Sequence, residues 1–155
     1  MARVNSGINP KYFSDQHLIA ESVEITMITG NLRKNGYEIK GEIPEKYCLG
    51  KGHINFFKNK LLYLKERLTQ VNFEMKRRKF NPGTTIDLKE FNHNDNLMYD
   101  WAPSIEDTKL VRERIVVRLI NPRKAKPGFH KYYGKPIEDI NEFSQELLNS
   151  ELYYV

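Results

Sequence analysis

The chain has one cysteine, Cys48, and a single thiol cannot close an internal bridge. A disulfide-stapled scaffold is therefore excluded. With nothing else pointing to export, a reducing cytosol is the expected setting. The first residues, Met1-Ala2-Arg3-Val4-Asn5, lack the apolar core of a signal peptide. No apolar run approaches the roughly 20 residues that span a bilayer, so no membrane partner is expected. The histidines at 17, 53, 93 and 130 and the lone cysteine show no metal-ligand spacing, so no metal is expected. For His53, between Gly52 and Phe56-Phe57, the expected role is structural, at the start of a helix. Internal repeats and low-complexity tracts are also missing.

Basic residues are absent from one stretch. Residues 136–155 hold Glu138, Asp139, Glu142, Glu146 and Glu151 but no Lys or Arg, a charge of −5. The whole chain carries +5, so the other 135 residues carry +10. A body of that charge is a footprint for a polyanion such as nucleic acid, the alternative being a basic solvated surface. At 155 residues the chain fits one compact domain, which buries about 68–70% of its unfolded surface without a staple.

Three stretches have helical periodicity. The first runs from about Ser14, a fitting N-cap, to Lys34, with Leu18, Ile25, Ile28 and Leu32 facing inward and Asn35-Gly36 as its stop. The second runs from about Asn55 to Lys79, with Phe57, Leu61, Leu64, Leu68, Val71 and Met75 recurring every three or four residues. Its closing run, Lys76-Arg77-Arg78-Lys79, suits the negative end of a helix dipole better than direct contact with a polyanion. The third runs from about Ile105 to Leu119 behind the capping box Ser104…Asp107, with Val111, Ile115 and Leu119 in line. Long loops join them, including a basic, aromatic one from Asn121 to Lys135. The acidic tail reads as a further helix with Ile140, Phe143, Leu147 and Leu152 inward. The expected fold is all-α: a single compact domain of three main helices with long loops, over 1–137, and an acidic helical extension over 138–155.

Three blocks, in order, carry a resemblance. They are Asp15-Gln16-His17-Leu18-Ile19-Ala20-Glu21 followed by Glu24, then Leu49-Gly50-Lys51-Gly52-His53-Ile54-Asn55-Phe56-Phe57-Lys58-Asn59-Lys60-Leu61, then Lys131-Tyr132-Tyr133-Gly134-Lys135. With Arg3 and Asn5 at the start, the chain resembles the phage-type pyrimidine-dimer DNA glycosylases over about residues 2–137. The resemblance implies a bifunctional DNA repair enzyme. It would cleave the glycosidic bond of a pyrimidine dimer in duplex DNA, then break the strand at the abasic sugar by β-elimination, as a monomer without metal or organic cofactor.

The nucleophile that the resemblance implies is the α-amine of Ala2, freed by removal of Met1, for which a small second residue is suited. An α-amine has a pKa of about 7.7–8.0 against about 10.4 for lysine, so roughly a quarter is neutral at cytosolic pH. It can form a Schiff base with the sugar C1′. An ordinary frayed terminus is the competing reading. Glu24 matches the family's catalytic carboxylate, which would stabilise oxocarbenium-like charge and later take a proton. A solvated helix face is the alternative. Arg3, Gln16 and His17 match positions near the DNA backbone and the lesion, although His17 also suits capping or packing early in its helix. Arg118, Lys126, Lys131 and Lys135 are the expected phosphate contacts of the C-terminal segment, where Tyr132 or Tyr133 anchors the chain to the core.

Two positions depart from the pattern. The best-known members carry arginine where this chain has Val23 and Met27, one turn apart. That loss weakens the implied phosphate grip, or marks another target base. The readings left open are the same chemistry on another damaged or modified base, a non-catalytic DNA-binding relative, and a basic interaction protein. For the acidic tail they are a helix folded over the DNA face and a solubilising cap elsewhere.

Overall fold

The computed structural model describes residues 3–121 and 128–153. Its helices are α1 (Asp15–Lys34), α2 (His53–Phe57), α3 (Leu61–Arg77), α4 (Ile105–Ile120) and α5 (Ile140–Asn149). One hairpin, β1 (Lys131–Tyr132) with β2 (Lys135–Pro136), interrupts an otherwise all-α architecture. No helix among the described residues is long and apolar enough to cross a membrane.

Helix α1 starts where its cap demands. The Ser14 Oγ accepts the backbone N–H of His17, satisfying one of the orphan donors of the first turn. Leu18, Ile25, Ile28 and Leu32 are fully buried, as their spacing predicts. Helix α4 opens with the reciprocal capping box: the Asp107 N–H donates to Ser104 Oγ and the Ser104 N–H to the Asp107 carboxylate. Val111, Ile115 and Leu119 bury its inner face.

The expected single helix over residues 55–79 is two helices. The chain breaks at Lys60, whose φ of −119° and ψ of 47° are not helical. The Tyr99 N–H takes the Asn59 carbonyl, and Lys60 forms a bridge with Met98, so the loop from the far side stands where helical hydrogen bonds would continue. The Lys60 ammonium donates to the Phe56 carbonyl at 2.7 Å, covering the exposed end of α2. At the other end of α3 the basic run is also not uniform. Arg78 is buried, with its Nε on Glu74, an Nη on Asp15 and further bonds to the Phe13, Pro10 and Lys11 carbonyls. It is a structural rivet between α3 and the entry to α1, rather than a dipole counter-charge.

A second rivet crosses the centre. Arg67 on α3 and Glu21 on α1 form a bidentate pair at 2.7 and 3.1 Å with no exposed side-chain surface, and Arg67 also donates to the Ile8 carbonyl. Removing either partner alone would strand a buried charge, at a cost of about 3–5 kcal/mol.

The N-terminal segment is threaded through this core rather than laid over it. Val4, Ser6, Ile8 and Pro10 are buried. Gly7 has φ +81°, and a Cβ there would stand 1.7 Å from the Thr108 methyl, so only glycine fits. The acidic helix α5 packs against α4 and the turn Pro10–Tyr12. Leu147 is buried, the Arg112 guanidinium donates to the Leu148 carbonyl, and beyond the helix the Tyr153 N–H donates to the Gly7 carbonyl. The hairpin occupies the end of what reads as loop in the sequence. Tyr133 (φ 54°) and Gly134 (φ 80°) form its turn with two left-handed residues.

Candidate active site

A small cleft opens between the N-terminal segment, α1 and α4. It encloses about 60 Å³, room for a few waters. Arg3, Asn5, His17, Glu24, Arg114 and Arg118 supply its polar lining. Helical spacing explains the assembly. His17, Glu21 and Glu24 share one face of α1, and Arg114 and Arg118, one turn apart, project from α4 to meet it.

Glu24 is half-buried, and desolvation raises its carboxyl pKa above the usual range. The Arg3 charge and a hydrogen bond from the Arg3 backbone amide oppose that shift. The carboxylate is therefore tied to the backbone one residue from Ala2. Its neighbour Glu21 also borders the cleft, but is committed to Arg67.

His17 is held neutral. Burial lowers its pKa to about 4, and His130, Arg3 and Arg118 add to the shift. Its ring lies parallel to that of His130, with centroids 5.5 Å apart. Ser14 Oγ already accepts the His17 N–H, so its hydroxyl proton is available to Nδ1 at 2.8 Å; that leaves the ring proton on Nε2.

The remaining expected residues have different placements. Gln16 has both halves of its amide on the hairpin approach: Nε2 donates to the Phe129 carbonyl at 2.6 Å, and Oε1 accepts the Lys131 N–H at 2.9 Å. Asp15 accepts the N–H groups of Tyr133 and Gly134, and the Tyr132 hydroxyl donates to the Lys11 carbonyl. The entry to α1 thus holds the hairpin beside the cleft, with Lys131 and Lys135 exposed on it. Both tyrosines pack on Arg78, with its guanidinium 4.5 Å from the Tyr132 centroid and 5.1 Å from that of Tyr133. Ala2 and Lys126 lie outside the described residues.

The sequence that builds this cleft has a counterpart among known families. The family model described as pyrimidine dimer DNA glycosylase matches residues 1–88. The chain belongs to the pyrimidine dimer DNA glycosylase family. That membership makes it a DNA repair glycosylase, with DNA as its partner. In this glycosylase the matched region contains Arg3, Gln16, His17 and Glu24. Helix α4 and the hairpin lie beyond it.

Arg114 is a cleft residue that the sequence reading missed. The available signal was its position one turn before Arg118 on the same helix. Val23 and Met27 are each 47% exposed on α1, and with Ile19 they form an apolar stripe next to Glu24. No α5 residue lines the cleft. His53 is structural as expected and begins α2, but its partners lie at the site's edge. Among the described residues no group of three or more His, Cys, Asp or Glu could hold a metal ion.

Proposed function

We propose that this glycosylase cleaves the glycosidic bond of a pyrimidine dimer in duplex DNA and then nicks the strand through a Schiff base on the α-amine of residue 2. The supporting observation is Glu24: a desolvated carboxylate in a cationic cleft, hydrogen-bonded by the amide of the residue that follows Ala2. Successive residues are about 3.8 Å apart, so the freed amine stays within one residue of that bond.

In the first step the neutral amine attacks C1′ as the bond to the damaged base breaks, and Glu24 stabilises the positive charge that develops on the sugar. The departing base takes one amine proton; the nitrogen electron pair then expels the ring oxygen O4′ from C1′, O4′ takes up a proton, and the open sugar is left as an iminium. Glu24, or a water it orients, takes a C2′ proton; the C2′ electron pair forms a double bond and the 3′ phosphate leaves. Hydrolysis of the imine returns the amine. Arg3, His17, Arg114 and Arg118 hold the backbone around the sugar, and Lys131, Lys135 and Lys126 hold flanking phosphates. Gln16 acts by fixing the segment that carries Lys131.

Borohydride trapping on dimer-containing and abasic duplexes tests the reading. The expected result is an adduct on both, mapped to residue 2. Glu24→Gln is expected to slow cleavage on dimer DNA by about 10²–10⁴-fold while duplex binding persists. An adduct on abasic DNA alone would point to another base, a reading that the apolar stripe at Val23 and Met27 favours. Tight duplex binding with no adduct would leave a non-catalytic relative.

A further inference from the structure

We propose that His53 and Tyr47 form a two-sided clamp on Val4 that positions the α-amine of residue 2 for attack. The inference rests on the reading of that amine as the nucleophile.

Val4 belongs to no helix or strand, yet it is fully buried. Its two backbone polar groups need partners, and side chains supply both. The Val4 N–H donates to His53 Nε2 at 2.8 Å, and the Val4 carbonyl accepts the Tyr47 hydroxyl at 3.0 Å. The clamp is itself braced. His53 Nδ1–H donates to the Cys48 carbonyl at 2.8 Å, which fixes the tautomer that leaves Nε2 as acceptor. Burial lowers the His53 pKa and keeps that acceptor neutral. Gly52 caps α2 at φ +95°, where a Cβ would stand 3.2 Å from Cys48 Sγ, so the glycine turn delivers His53 to this place. The Tyr47 ring stacks on Trp101, and its edge meets His53.

The consequence follows along the chain. Val4 N–H is fixed by His53, Arg3 N–H by Glu24, and the amine of residue 2 comes next. A free terminus ordinarily frays, and a reacting group misplaced by about 1 Å can lose about 10²-fold in rate. Two clamped residues shorten the free lever to a single residue. His53 and Tyr47 are thus positioning residues that act through the backbone they hold.

The test uses the protein with Met1 removed, in single-turnover borohydride trapping on an abasic duplex, with peptide mapping of the adduct. Dissociation constants for a duplex with a tetrahydrofuran abasic analogue and melting curves accompany it. Tyr47→Phe and His53→Phe are expected to slow trapping by about tenfold or more while the dissociation constant stays within about twofold. His53→Gln, which restores an acceptor near Nε2, is expected to recover much of the loss. Folded variants that trap at the wild-type rate would overturn the clamp. Should His53→Phe not fold, Tyr47→Phe decides alone, since it keeps the stacked ring. Wild-type protein that traps through another amine, or not at all, refutes the nucleophile reading and takes the clamp with it. The mapped adduct separates that failure from slow or unchanged trapping at residue 2.

Discussion

Glu21 and Glu24 stand three residues apart on α1 and have opposite fates. Glu21 is fully buried against Arg67, whereas Glu24 is half-buried in the cleft with its carboxyl pKa raised by desolvation. The sequence places both on one face, but Glu21 is claimed by Arg67, forty-six residues away, while Glu24 is left to the cleft. Three histidines share one trend: burial lowers the pKa of His17 from 6.5 to about 4, and lowers those of His53 and His130. A depressed histidine pKa means that the unfolded chain takes up protons the folded chain refuses. Stability is therefore present above pH about 6.5 and lost as pH falls towards about 4. His17 alone accounts for about 3 kcal/mol of that loss, and Glu24, whose pKa is raised, offsets a little of it. Urea melts from pH 7 to pH 4.5 are expected to fall steeply, and His17→Gln to flatten the profile. Equal stability at pH 7 and pH 5 would contradict the lowered pKa of these rings.

At the scale of elements, what the sequence discloses depends on whether a rule repeats. Helices α1 and α4 were legible because caps and inward spacing agree. The break at Lys60 was not, since Phe57, Leu61 and Leu64 stay in phase across it and the cause is a loop near Met98. A hairpin with two-residue strands has no periodicity to read; its only local sign is Tyr133-Gly134. Of the candidate site, Glu24, Arg3, His17 and Arg118 were legible and do meet. Gln16's grip on the hairpin and the partners of His53 join residues far apart in sequence, and no local pattern encodes them. The tail is the element whose sequence left two placements open. Because α5 buries Leu147 and lines no part of the cleft, deletion of residues 138–155 is expected to lower the melting temperature by several degrees. DNA affinity at physiological salt is expected to change by less than about threefold, since salt weakens interactions between exposed charges. A large gain in affinity at that salt would show that the helix competes with DNA.

Over the whole molecule, charge is sorted along the chain. The stretch from 136 to 155 carries −5, while the rest carries +10. The cleft and hairpin collect Arg3, Arg114, Arg118, Lys131 and Lys135 from three separate regions of the chain. A duplex bound across that face would release counterions in proportion to the phosphates neutralised, at about 0.9 log unit of slope per contact. Five contacts give a slope of about −4.5 in log K against log salt, and Lys126 would add at most one more. The stripe of Ile19, Val23 and Met27 contributes nothing to this sum, so affinity rests on the flanks of the cleft rather than on α1. Arg118→Ala is expected to reduce the slope by about 0.9, and the double variant Val23→Arg, Met27→Arg to steepen it by up to about 1.8. Fluorescence anisotropy titrations on an undamaged duplex between 50 and 200 mM salt read all three slopes, a range flagged by about 10³-fold affinity changes for proteins with six or more contacts. A wild-type slope near −1, or one unmoved by Arg118→Ala, would place the DNA on a different face from the carboxylate.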